Sequence, residues 1–239
     1  MRGKYDKEQI IFEDNITKTI AFYSRLVNFI EDVIDDAYCT TVYINELDSN
    51  MPWTTEIVIE PINCKYDPYE SVRIFSEEWS IDNVVIGRGI YEYGKLYEII
   101  ARKYIESLHY TMKSYASRTL LTKREYYLAI SFYGKAAIVE GDPERVRIPA
   151  VNQCFSAHTH PATRAFPSIQ DMITIFSIML NRGIGHAIET VGDTMLFYRT
   201  APLTEDDIAI LRKIEREHNA GRAFELMKSI PRIKVIYMR

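Results

Sequence analysis

Cysteine, histidine and glutamine are all scarce in this chain. Its 239 residues hold three cysteines and five histidines, and glutamine occurs only at Gln9, Gln153 and Gln170. Cys39, Cys64 and Cys154 are far apart and form no C-x-x-C pair. Such usage argues against a disulfide framework and for three buried thiols in a reducing compartment. No apolar run is long enough to span a bilayer, and the stretch MRGKYDKEQ lacks a signal-peptide core. These absences lead to the expectation of a cytoplasmic protein that does not enter a membrane. The net charge of -4 shows no basic excess, so a general electrostatic grip on nucleic acid is not expected. Rare glutamine beside plentiful isoleucine and tyrosine leans toward a thermophilic source.

What is present reads as an α+β chain. Asp14 or Asn15 caps a helix to about Asp36, with Ile16, Ile20, Tyr23, Val27, Ile30 and Ile34 on its apolar face. Strands are expected at Thr40–Leu47, Thr54–Ile59 and Val84–Ile86, and a long helix over Tyr91–Ser117. A hairpin around Gly134-Lys135 should join Tyr126–Tyr133 to Ala136–Val139. Gly141-Asp142-Pro143 turns the chain before a brief strand, Val146–Ile148. A strand at Asn152–His158 precedes an apolar helix after Pro167. His186–Val191 and Thr194–Tyr198 should pair about a Gly192-Asp193 turn. A capped helix at 205–218 and a strand at Ile233–Tyr237 close the chain. Composition loosens over 60–85, which suggests two parts, 1–82 and 83–239. The first has too small a core to stand alone. It is expected to pack on the second part or on another copy of itself as a homodimer, and to help choose a partner.

Residues 157–171, AHTHPATRAFPSIQD, hold two of the five histidines. On a strand, His158 and His160 share a face with Cα atoms about 6.6 Å apart. Both imidazoles can then reach one metal ion, and Asp171 can add a third ligand if the next helix brings it back to the strand end. Three protein ligands and one open position are the arrangement of a catalytic zinc. Ser168 and Asp171 also form an S-x-x-D capping box, and the two roles are compatible.

The pattern H-T-H-P-x6-S-x2-D, at His158, His160, Pro161, Ser168 and Asp171, resembles the signature of the JAMM (MPN+/JAB) metalloproteases. The likeness covers about residues 84–239. It implies a curved mixed β-sheet packed by helices, the JAMM/cytidine-deaminase-like core. It further implies Zn2+ held by His158, His160 and Asp171, with Ser168 stabilising an oxyanion. The implied activity is hydrolysis of an amide, an isopeptide bond in particular, with a ubiquitin-like protein or peptide as substrate. The family also uses an upstream glutamate as acid and base. Glu125, before the strand at 126, fits that position, although EYYLAISFYG lacks the family's internal glycine. Glu140 is the rival. Two other readings stay open: a RadC-like DNA-associated protein, which shares H-x-H-P and P-S-x-x-D, and a non-catalytic scaffold subunit of the same fold. His186 reads as structural.

Overall fold

The computed structural model describes residues 9–141 and 152–239. The expected strand at 146–148 and most of the turn at 141–143 lie outside these residues. The chain is mixed α+β. It runs β1 (Gln9–Phe12), α1 (Asn15–Ala37), β2 (Thr41–Ile44), β3 (Ile57–Ile62), α2 (Pro68–Glu78), β4 (Val84–Ile86), β5 (Tyr91–Glu92) and α3 (Lys95–Lys103). A π turn (Tyr104–Leu108) leads into α4 (His109–Thr122), then β6 (Tyr126–Ser131), β7 (Ala136–Glu140), β8 (Gln153–Thr159) and α5 (Ile169–Leu180). β9 (Gly185–Glu189), β10 (Thr194–Arg199), α6 (Glu205–Ile214), α7 (Ala220–Lys228) and β11 (Ile233–Met238) follow.

The main sheet has the order β1-β7-β6-β8-β9-β10-β11. Only β8 and β9 run parallel in it, because α5 carries the chain back across one face between them. A smaller sheet, β4-β3-β2-β5, lies alongside. Alternation along the strands sorts the side chains onto two faces. Leu128, Ile130, Phe155 and Leu196 pack with Leu26, Ile30, Ile100 and Tyr104 on the side of α1 and α3. Ile188 and Phe197 pack with Met172, Phe176, Ile214 and Met227 on the side of α5, α6 and α7.

Several expectations need correction. The boundary at 82/83 does not divide the packing. β1 joins the main sheet beside β7, and α1 is built into the same core as β6 and β8. Arg199 of β10 is buried and reaches back to Glu31 and Asn28 of α1. An apolar stripe on α1 needs a large surface to cover it, and the main sheet is the largest available.

Cys39 and Cys64 form a disulfide, and only Cys154 is a free, buried thiol. The pair ties the end of α1 to the loop after β3. Disulfides belong to oxidising compartments or to the cell interior of hyperthermophiles, so cysteine usage no longer argues for a reducing cytoplasm. No helix among the described residues is long and apolar enough to cross a membrane.

The long helix expected over 91–117 is interrupted by the π turn. In a regular α-helix residues five apart point about 140° away from each other. The wider turn lets Tyr104 Oη and His109 Nδ1 both contact Glu189 Oε1, at 2.6 and 3.0 Å. α2 lies within the stretch of loosened composition, 60–85, where Asp67 caps it and Pro68 opens it. The 205–218 helix ends at Ile214, and a separate α7 follows, capped by Asn219. The β9–β10 turn closes by Thr190 N–H to Asp193 O at 3.0 Å, one residue earlier than the Gly192-Asp193 reading.

Candidate metal centre

Alternation on β8 turns Ser156 and His158 toward the α5 side of the sheet, and His160 just past its end continues the pattern. The chain then leaves through Pro161 and returns at Pro167. Ser168 caps α5: its Oγ accepts the Asp171 N–H at 3.1 Å, and Asp171 Oδ2 accepts the Ser168 N–H at 2.7 Å. The cap therefore fixes the Asp171 carboxylate at the end of β8, at a helix N-terminus that favours negative charge.

Asp171 Oδ1 lies 3.3 Å from His158 Nε2, and Oδ2 lies 3.3 Å from His160 Nε2. The two Nε2 atoms are 2.8 Å apart. Ligand atoms from these three residues lie within 4.8 Å of one another, and they are the one such group that could hold a metal ion among the described residues. A tetrahedral zinc site requires ligand-to-ligand edges of about 3.3–3.4 Å. Each imidazole is 3.3 Å from an Asp171 oxygen, but from a different one in each case, so a shared ligand oxygen requires the carboxylate to turn as well as the imidazoles to part by about half an ångström. The nitrogen and oxygen donor set is one that zinc takes.

Without a cation, 2.8 Å between two imidazole nitrogens requires one of them to carry a proton. The charges around His160 favour its protonated form. Burial works to lower its pKa, but the hydrogen bond and charge of Asp171, with the Glu125 charge behind them, raise it above the ordinary imidazole value. Burial would raise Asp171, yet hydrogen bonds from both histidines hold it well below the usual carboxylate range.

Glu125 precedes β6 and is half-buried. β6 pairs with β8 so that Tyr127 faces His158. Continued two residues past the end of that ladder, the register directs Glu125 toward the side of His160, and the Glu125 charge is one of those acting on the His160 imidazole. Glu140 is opposite Tyr126, so it belongs to the other face, where Arg124 Nη1 donates to it at 2.9 Å. The structure thus brings His158, His160, Asp171, Ser168 and Glu125 together and leaves Glu140 apart.

His186, expected to be structural, stands directly behind His158. It is fully buried, and its Nε2 lies 2.7 Å from His158 Nδ1, while its Nδ1 lies 2.6 Å from Ser156 Oγ. Burial, followed by the His158 charge, holds its pKa well below the ordinary value, so His186 is neutral. The contact crosses from β8 to the parallel β9, where Ser156 and His186 are register partners. Isolation of His186 from the H-x-H motif in sequence hid that link.

The loop after His160 is held from below. Asp193 accepts the Ala165 N–H and is also bonded by the Thr190 and Tyr237 hydroxyls. Gly192 passes so close to this loop that a Cβ there would lie 2.2 Å from Thr163 O. His160 N–H donates to Glu189 O at 2.9 Å. The hairpin between β9 and β10 therefore supports the loop after His160.

Comparison with protein-family models, with curated proteins and with solved structures finds no match in any of the three.

Proposed function

We propose that the chain is a zinc-dependent metalloprotease of the JAMM type, an isopeptidase that hydrolyses an amide bond made by a lysine side chain. The observation that carries this reading is the convergence of His158, His160 and Asp171 with Glu125 beside His160. The parallel β8–β9 pair with α5 on one face is in keeping with a curved sheet of the JAMM/cytidine-deaminase-like kind. The closeness of the three side chains and the chemistry of their donor atoms support His158, His160 and Asp171 as the holders of zinc.

When bound, zinc would supply Lewis-acid polarisation of the amide and a more acidic water. Glu125 would accept a proton from that water and return it to the leaving amine. Among the described residues its carboxylate is in no hydrogen bond, so it is available for this work. Ser168 Oγ already accepts the Asp171 N–H, which leaves its hydroxyl proton to donate to a developing oxyanion. The substrate is a ubiquitin-like protein or a peptide joined through lysine.

The test is cleavage of a lysine-linked ubiquitin-like conjugate by the zinc-loaded chain. Cleavage that stops on chelation and in His160→Ala is the expected result. A wild-type chain that holds zinc yet leaves both protein and peptide isopeptides intact would refute the activity.

A further inference from the structure

Thr159 stands between the two histidines in sequence and on the other face of the sheet. Alternation along β8 turns it away from α5 and toward α4, where it is fully buried. Its Oγ1 lies 2.6 Å from Thr119 Oγ1 of α4 and accepts the Tyr126 N–H at 2.8 Å. Thr119 and Tyr126 are buried as well.

The bond to Tyr126 falls where the backbone ladder stops. β6 and β8 pair as far as Tyr127 and His158, and His160 N–H already turns to Glu189 O of β9. The next amide of β6 therefore meets a side-chain hydroxyl in place of a carbonyl. The same peptide group carries the carbonyl of Glu125, which accepts the Gly141 N–H at 2.7 Å. Both polar ends of this one peptide group are thus held, one by Gly141 just past β7 and the other by Thr159 at the end of β8. A peptide group is planar, so holding both ends fixes the plane that leaves the Glu125 Cα. An apolar side chain at 159 would strand a buried N–H, which native structures avoid.

We propose that Thr159 is a positioning residue: its hydroxyl locks the peptide group after Glu125 to the strand that carries His158 and His160, and so sets where the Glu125 carboxylate stands relative to the cation site. The inference rests on the reading of Glu125 as acid–base for its purpose, whereas the clamp itself is a property of the backbone. The candidate ligands have other supports, since His160 N–H is held by Glu189 O and Asp171 by the Ser168 cap.

The experiment uses the full chain as wild type, Thr159→Val and Thr159→Ser, each alone and combined with Glu125→Gln. Hydrogen exchange at the Tyr126 amide, zinc affinity by chelator competition and steady-state cleavage of a lysine-linked conjugate are measured on each. Thr159→Val keeps the shape and removes the hydroxyl, so the Tyr126 amide should exchange faster. Its kcat should fall about 10- to 100-fold, the scale of loss when a reacting group is misplaced by up to about an ångström, with KM and zinc affinity unchanged. Thr159→Ser should recover both exchange and kcat. In the Glu125→Gln background Thr159→Val should cost no further activity, because the group it positions is gone. An equal loss in both backgrounds, or a Tyr126 amide that exchanges alike in wild type and folded Thr159→Val, would overturn the proposal. Should Thr159→Val not fold, Thr119→Val takes its place: it removes the partner of the Thr159 hydroxyl, and unchanged exchange at Tyr126 would again overturn the clamp. A wild type that cleaves no conjugate would remove the acid–base reading and the positioning role with it, while faster exchange in Thr159→Val that Thr159→Ser reverses would still uphold the clamp.

Discussion

Replacing Glu125 with glutamine removes a proton acceptor and little else. The side chain is half-buried and in no hydrogen bond among the described residues, and the bond from Gly141 N–H to Glu125 O at 2.7 Å uses the backbone. Stability should therefore change by no more than about 0.5 kcal/mol. That corresponds to a shift of about 1–2 °C in Tm for a chain of this size. Zinc should stay bound, since Glu125 is not among the proposed ligands. Activity should fall about 10²- to 10⁴-fold, the usual contribution of a positioned acid–base group, or roughly 3–5 kcal/mol in the barrier. Glu140→Gln is the control. It breaks the 2.9 Å pair with Arg124, costs up to about 1 kcal/mol in stability, and should leave turnover unchanged. The assay is steady-state cleavage of a lysine-linked conjugate, with zinc content and thermal unfolding measured on the same preparations. A Glu125→Gln chain as active as the wild type, beside an inactive Glu140→Gln chain, would refute the cross-strand argument.

Other perturbations probe the scaffold. Arg199→Ala strands Glu31 without its buried partner and should cost about 3–5 kcal/mol, seen as a lower midpoint in denaturant unfolding; a loss under about 1 kcal/mol would contradict it. Replacing Cys39 and Cys64 with serine opens a crosslink spanning 25 residues and should cost about 3.5 kcal/mol by chain entropy, checked by unfolding with and without reductant. Deleting residues 1–82 removes α1 from the shared core, so the remainder should fail to fold cooperatively, as judged by calorimetry. A compact, zinc-binding fragment 83–239 would show instead that the second part is independent.

The motif was legible because its logic is local. Period-two alternation put His158 and His160 on one face, and the S-x-x-D cap announced where α5 begins. Asp14 likewise marked the start of α1, where it forms a capping box with Thr17. What depends on strand register was not legible. The relation of Glu125 to His160 exists only through the β6–β8 pairing, and that of His186 to His158 only through β8–β9. The disulfide needed the end of α1 to meet the loop after β3, which spacing does not reveal. The π turn answers to a buried carboxylate, Glu189, that lies 80 residues from His109 in the chain. The expected boundary at 82/83 came from loosened composition, whereas burial of α1 is decided by the area of the sheet it covers.

The most direct test of the central claim is a crystal structure of the zinc-supplemented chain, with anomalous data collected on both sides of the zinc absorption edge. The account predicts one peak about 2.0–2.2 Å from His158 Nε2, His160 Nε2 and an Asp171 carboxylate oxygen, with a fourth position open beside Glu125. No peak at these residues, or an ion held elsewhere while the two imidazoles stay in direct contact, would contradict it.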